Sequence, residues 1–359
     1  MTSPSCSSTR QSGSAEPAGP SLLVAQTSFL GDVVLTTPLI AALRDRLRPR
    51  RLTVLVRPEA AGLLLDHPAI DRVLLDDKRG RDRGVRGWGR LVARLRAERF
   101  DLAVSPHRSW RTALALAAAG IPRRIGFASA RGAFLFHERV PRRAERHDVE
   151  RNLALMEVFG GWSDPPVLHL ATNAAAVERA RALLPAGDGP IVGLAPGSVW
   201  ATKRWTVEGF AAVARALAVD GVRCVLLGGE IDRAACDAVA VLAGPGVTML
   251  AGRTDVATLV AVIDRLQVLV ANDSAPMHIA CARDVPVVAV FCATTPSFGY
   301  GPWGPRSAVV EADLDCRPCA RHGGPRCPRG TDDCRYLVTA EMVLGAVRRL
   351  WPRAGGRAV

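Results

Sequence analysis

The chain has 359 residues, 48% apolar and 5% aromatic, with 47 Lys+Arg against 34 Asp+Glu. That length exceeds one ordinary domain and fits two, each able to bury its own core. No run approaches the roughly 18 apolar residues of a membrane span. Residues 1–20 are rich in Ser, Gly and Pro and lack the apolar stretch of a signal peptide, so they read as a disordered tail on a cytoplasmic chain.

Residues 21–27 (SLLVAQT) form a short apolar run, the pattern of a buried strand. Residues 30–47 carry Val33, Val34, Leu35, Leu39, Ile40 and Leu43 at helical spacing, with Gly31 at the mouth of one continuous helix. Strands follow at 52–56, 73–75, 100–105 and 124–127, and helices at 59–65, 91–99 and 111–119. A charged lead-in at 142 opens a further helix to 160. Residues 78–90 are basic and glycine-rich and read as a mobile loop. The runs GWSDPP at 161–166 and 185–190 break the pattern, which places a linker over 166–189. Strands then recur at 191–195, 223–227, 247–250, 267–271, 285–291 and Val309–Val310, with helices at 206–218, 232–242, 256–265 and 339–351. This alternation predicts an α/β protein of two doubly wound, parallel, Rossmann-like sheets facing across a cleft. The expected units are 21–165 and 190–335, with 336–359 a terminal helix packing back on the first unit.

Open α/β sheets bind ligands beyond the carboxyl ends of their strands, and four stretches put polar residues there. Ser28-Phe29-Leu30-Gly31-Asp32 follows the first strand. The pattern G-x-G-x-x-G is absent, which disfavours a dinucleotide cofactor. Asp32 suits a general base that faces the cleft, and equally an ordinary acid of a first helical turn. Pro196-Gly197-Ser198 and Thr202-Lys203-Arg204 follow the strand at 191–195. Turn amides, a hydroxyl and Lys203 can together hold a diphosphate. A cation at a helix start gains nothing from the dipole, which favours that reading. Gly228-Gly229-Glu230 allows close backbone approach, and Glu230 can accept from two neighbouring hydroxyls, as on a ribose. A plain strand-to-helix turn fits it too. Residues 267–291 read strand, polar turn, helix, strand, so Asp273, Ser274 and His278 face the crevice. Taken alone, they also describe a capped helix with a core histidine.

Charge is unevenly placed. Residues 44–151 hold 26 Lys+Arg against 13 Asp+Glu, so the whole excess of 13 lies there and the remainder is neutral. The first half is therefore expected to meet something anionic: nucleic acid, a lipid headgroup surface or a phosphorylated acceptor. A nucleic-acid partner is disfavoured, because no recognition motif is present and the basic region has few aromatics for stacking. Cys6, Cys224, Cys236, Cys281 and Cys292 are scattered. Cys316, Cys319, Cys327 and Cys334 crowd one loop and match the ligand count of a structural zinc site, with His322 as a substitute ligand. The second pair is not C-x-x-C, so reduced thiols fit better.

In order, SFLGDVVLTTPLIAALR (28–44), APGSVWATKRWTVEGFAAVA (195–214), LLGGE (226–230) and ANDSAPMHIACA (271–282) resemble glycosyltransferase family 9, the lipopolysaccharide heptosyltransferases. HDVERNLALME (147–157) and the cysteine-bearing tail are similar to the heptosyltransferase II type. The resemblance implies a GT-B fold and inverting transfer of heptose from ADP-heptose to the inner core of lipopolysaccharide, a heptosyl-Kdo-lipid A type acceptor. It implies no cofactor and no nucleotide-bound metal. The first unit would bind the acceptor and the second the sugar nucleotide. By motif, Asp32 resembles the catalytic base beside Gly31, and Lys203 the group stabilising the leaving diphosphate, with Ser198 and Thr202 nearby. Glu230 resembles the nucleoside-binding acid, and Asp273, Ser274, Ala275, Met277 and His278 the donor loop. Many relatives have glycine where Ala275 stands, which keeps another nucleotide sugar open as donor. The acceptor is anionic, so Arg79, Arg81, Arg83 and Arg86 are expected to contact it and to hold the protein peripherally on the inner leaflet.

Overall fold

The computed structural model describes residues 19–164, 167–187 and 189–351. The expected tail at 1–18 lies outside them, whereas Gly19 and Pro20 already belong to the first strand. The first half forms a sheet from β1 (Gly19–Ala25), β2 (Pro49–Val56), β3 (Arg72–Leu75), β4 (Leu102–Ser105), β5 (Arg123–Phe127) and β6 (Glu138–Val140). The second uses β7 (Ile191–Ala195), β8 (Arg223–Leu226), β9 (Val247–Met249), β10 (Val268–Asn272), β11 (Val287–Phe291) and β12 (Ser307–Glu311). The orders are β3-β2-β1-β4-β5-β6 and β12-β11-β10-β7-β8-β9, with every pairing parallel. Both are the same doubly wound order. Strand sequence reverses between β1 and β4, and between β7 and β10, so each sheet opens a crevice at those carboxyl ends. Strands covered on both faces read as unbroken apolar runs, and all five residues of β7, β10 and β11 are buried.

The single helix expected at 30–47 is two: Leu30–Val34 and Thr37–Leu47. Pro38 has no N–H, and the Thr37 hydroxyl takes the Val34 carbonyl at 2.8 Å while Thr36 Oγ1 takes that of Asp32 at 2.7 Å. The break leaves Asp32 on a separate short turn. The loop expected at 78–90 ends early, because a helix runs Gly84–Ala97. Buried Asp82 anchors its start by accepting from Asp77 N (3.0 Å) and from Arg94 (2.8 and 3.0 Å), and Leu91, Val92 and Leu95 face the core. The region expected as linker contains a helix, Ala174–Leu183, capped by Asn173 and packed through Ala176 and Ala180 against Val256–Ile263. The terminal helix, Ala340–Leu350, does not pack back on the first half. Its buried stripe Val343, Leu344, Ala346 and Val347 completes the core of the second sheet, and Trp205 Nε1 holds the preceding segment through the Val338 carbonyl at 2.9 Å.

The halves meet in several places, one of them the turn Pro58–Leu63 against helix Val256–Ile263. Helix Leu30–Val34 packs against Ala275–Ala282. Residues 142–151 also grip the loop after β11. Asp148 N donates to Gly299 O at 2.8 Å, Arg151 Nη2 to Phe298 O at 2.8 Å, and Arg142 to the Tyr300 hydroxyl at 3.3 Å. His147 Nε2 meets Gly301 O at 3.1 Å. Gly299 has φ +85°, and a Cβ there would lie 2.5 Å from Arg146 O, so only glycine fits. The Arg151 side chain is fully buried between these partners and Asp148. Arg151→Ala should therefore cost about 3 kcal/mol, because it strips buried carbonyls and a carboxylate of their donor. A fall in thermal midpoint of several degrees checks this.

Candidate active site

Four strand ends converge on one cleft of about 850 Å³. From the first half come Ser28 to Asp32 after β1 and Pro106 to Arg111 after β4; from the second, Ser198 and Lys203 after β7 and Asp273 to His278 after β10. Asp32 Oδ2 accepts from Ser28 Oγ at 2.5 Å and from Phe29 N at 3.1 Å, which closes its helical turn. The residue keeps partial solvent contact through the cleft, yet its carboxyl is enclosed by protein. Burial first, then the charge of Asp148, raises its pKa to about 6, against the Ser28 and Phe29 hydrogen bonds and Arg142. A carboxyl in that range is ionised at neutral pH but basic enough to accept a proton.

On the opposite wall, Lys203 Nζ lies 2.6 Å from Asp273 Oδ2, and Thr294 Oγ1 donates to the same oxygen at 2.8 Å. Ser198 lies under this pair, with its hydroxyl 3.4 Å from the Asp273 carbonyl. His278 is buried, and its Nδ1 has no hydrogen-bond partner among the described residues. Burial lowers its pKa to about 4, opposed by Asp273, so the imidazole is neutral. It approaches the first half so closely that a Cβ on Gly31 would lie 2.8 Å from His278 Cδ2.

The cleft thus unites Gly31, Asp32, Ser198, Lys203, Asp273, Ser274, Ala275 and His278. Other expected residues lie elsewhere. Thr202 is buried, and its hydroxyl pairs with Gly324 N and O at 2.8 and 3.0 Å. Met277 lies in the core. Glu230 is exposed on a turn after β8 and sits 3.8 Å from Arg233. Arg79, Arg81, Arg83 and Arg86 are exposed on the start of the Gly84–Ala97 helix and the turn before it, and none lines the cleft; exposed cations keep their hydration there, Arg81 with Asp82 3.6 Å away. Among the described residues, no cluster of His, Cys, Asp and Glu is arranged to hold a metal ion, and Cys316, Cys319, Cys327 and Cys334 are free.

Sequence reasoning missed Arg108, Arg142, Asn152, Thr294, Tyr300 and Arg321, which line the same cleft. Asp148, in the stretch HDVERN, was seen only as part of a motif. It pairs with Arg142 and faces Asp32 electrostatically.

A family model described as Glycosyltransferase family 9 (heptosyltransferase) matches residues 88–326. The chain belongs to glycosyltransferase family 9. It is 30% identical to lipopolysaccharide heptosyltransferase 3 of Escherichia coli, across 77% of this chain and 84% of that protein. The crystal structure of a family 9 glycosyltransferase from Veillonella parvula superposes with a TM-score of 0.83 at 22% identity, covering 94% of this chain and 99% of that one. The E. coli ADP-heptose lipopolysaccharide heptosyltransferase II gives 0.77 at 23%, covering 92% and 98%. The two facing sheets are accordingly the GT-B fold, and the protein is a glycosyltransferase of the heptosyltransferase family of lipopolysaccharide core biosynthesis.

Proposed function

We propose that this family 9 enzyme moves heptose from ADP-heptose to the inner core of lipopolysaccharide by a single displacement with inversion. The observation that carries the reading is the pairing across one cleft of a carboxylate with a raised pKa, Asp32, and a partly desolvated cation, Lys203. The acceptor hydroxyl oxygen attacks the anomeric carbon as the bond to the diphosphate oxygen breaks. Asp32 takes the hydroxyl proton, and ADP leaves with the bonding pair. Lys203 turns from Asp273 to the departing phosphate oxygens, where a compact charge stabilises the transition state more than the ground state.

In this scheme residues 21–165 present the acceptor and 190–335 the donor. Ser198, Ser274 and Ala275 shape the diphosphate pocket, and neutral His278 offers a hydrogen bond to the sugar. Thr202 and Met277 support that wall from behind. Glu230 stands beyond β8, next to β7 in the sheet, and meets the nucleoside as it extends outward. The related E. coli protein, an ADP-heptose lipopolysaccharide heptosyltransferase, supports the donor. Arg79, Arg81, Arg83 and Arg86 face solvent, so their role moves from the acceptor sugar to the anionic inner leaflet. No helix among the described residues is long and apolar enough to cross a membrane. Reversing these four charges should abolish co-sedimentation with anionic vesicles and leave turnover of a soluble acceptor intact. Unchanged co-sedimentation would refute the membrane role.

Asp32→Asn should lower transfer by roughly 1,000-fold while ADP-heptose still binds, read by thermal shift. With Asp32 at about 6, kcat/KM should fall tenfold per pH unit below that value. The raised carboxyl contributes stability fully below 3.8, and that contribution is lost as pH rises through about 6. Asp32→Asn should therefore not lower the thermal midpoint at pH 7.5. Retained turnover would remove Asp32 from the role.

A further inference from the structure

The loop between β12 and helix Asp333–Tyr336, which carries Cys316, Cys319 and Cys327, has no part in the scheme above. It is nevertheless strapped onto the site. Cys319 N donates to Ala293 O at 3.0 Å, and Arg317 Nη2 to the carbonyls of Phe291 and Thr294 at 3.0 and 2.8 Å. Thr202 and Gly324 exchange three hydrogen bonds, with Thr202 N donating to Gly324 O at 3.2 Å. Gly323, at φ +75°, passes so close that a Cβ would sit 3.0 Å from Lys203 Cγ. The strap crosses Lys203 and delivers Arg321 and His322 into the cleft.

Opposite stand Arg108 and Arg131 of the first half, whose backbones are joined by Arg131 N donating to Arg108 O at 3.3 Å. The other two arginines of the cleft are paired, Arg111 with Asp76 at 2.9 Å and Arg142 with Asp148. Arg108, Arg131 and Arg321 have no carboxylate within ion-pair distance, and their guanidinium groups make no hydrogen bond among the described residues. Arg108 is half-buried, and the charges of Arg142 and Arg321 press against it. Like charges gathered in a cleft repel one another, a repulsion that Asp148 offsets only in part at Arg108, and an anion brought among them gains from each guanidinium it reaches, the exposed Arg131 and Arg321 included. Guanidinium is also the group that grips phosphate or carboxylate through two parallel hydrogen bonds.

We propose that Arg108, Arg131 and Arg321 form a composite anion subsite that grips an acidic group of the acceptor saccharide, a phosphate ester or a carboxylate. The strap supplies Arg321 from the donor half, so acceptor binding draws the two halves together. The proposal rests on the acceptor assigned above. It favours acceptor over donor because two of its three cations stand on the Asp32 side, whereas the diphosphate has Lys203.

The test is a calorimetric titration of the full-length protein with a deacylated inner-core oligosaccharide that keeps its phosphates and carboxylates. This readout needs no turnover. Arg321→Gln and Arg108→Gln should each weaken binding by about 10- to 100-fold, the worth of one charge-assisted hydrogen bond. ADP affinity and thermal midpoint should stay unchanged, and Arg321→Lys should recover part of the loss. Phosphatase-treated and carboxyl-reduced oligosaccharides identify the acid, since the arm that removes the true partner lowers wild-type affinity and leaves Arg321→Gln unaffected. Loss of ADP affinity in Arg321→Gln would assign the cations to the donor and overturn the proposal. So would a wild-type affinity indifferent to both treatments. Failure of the wider functional reading would look different, as binding of the oligosaccharide without heptose transfer.

Discussion

The geometry of the cleft depends on how closely helix Leu30–Val34 approaches helix Ala275–Ala282. The limiting contact is Gly31 against His278, where any side chain at 31 would strike the imidazole ring. That approach brings a carboxylate of one sheet and a cation of the other into the same cleft. Parallel sheets with the same strand order make it possible, because each directs its carboxyl ends, and the loops that follow them, toward the crevice. The grip of residues 142–151 on the loop after β11 then holds the halves in register from the other side.

The charged groups inside the cleft are held in three ways. Asp32 has no ion-pair partner among the described residues, and its surroundings disfavour the charge, which keeps it basic enough to take a proton. Lys203 and Asp273 neutralise each other at 2.6 Å, with Thr294 fixing the carboxylate. A pair of that kind stays stable without ligand and is open to exchange when a diphosphate offers more oxygens. Arg108, Arg131 and Arg321 form a third class, lining the cleft without an ion-pair partner among the described residues. The cations of the first half thus include an exposed set on the helix Gly84–Ala97 and the turn before it, and a smaller set inside the cleft.

Much of this was legible in the sequence because the relevant physics is local. Branched apolar runs bounded by polar turns mark buried strands, and the residues just past β1, β7 and β10 face the crevice for that reason alone. What failed was contact between distant positions. Arg108 sits in SPHRSW, a stretch with no pattern, and only the fold brings it to Arg321. Lys203 and Asp273 read as two separate ligand groups rather than one ion pair. The helix Ala174–Leu183 was hidden between two proline-bearing breaks, although Asn173 is an ordinary capping residue. The apolar spacing over 30–47 reads as one helix, whereas Pro38 lacks the N–H for the Val34 carbonyl, which the Thr37 hydroxyl takes instead. The terminal helix was legible as a helix but not as to what it covers, since an apolar stripe does not name its partner.

The central claim is that Asp32 and Lys203 work on opposite faces of one anomeric carbon. The most direct measurement is the anomeric configuration of the transferred sugar, read by NMR on the product formed from ADP-heptose of defined configuration. A single displacement between these two groups predicts inversion. Retention would require an intermediate on the enzyme or attack from the leaving-group face, and would contradict the account.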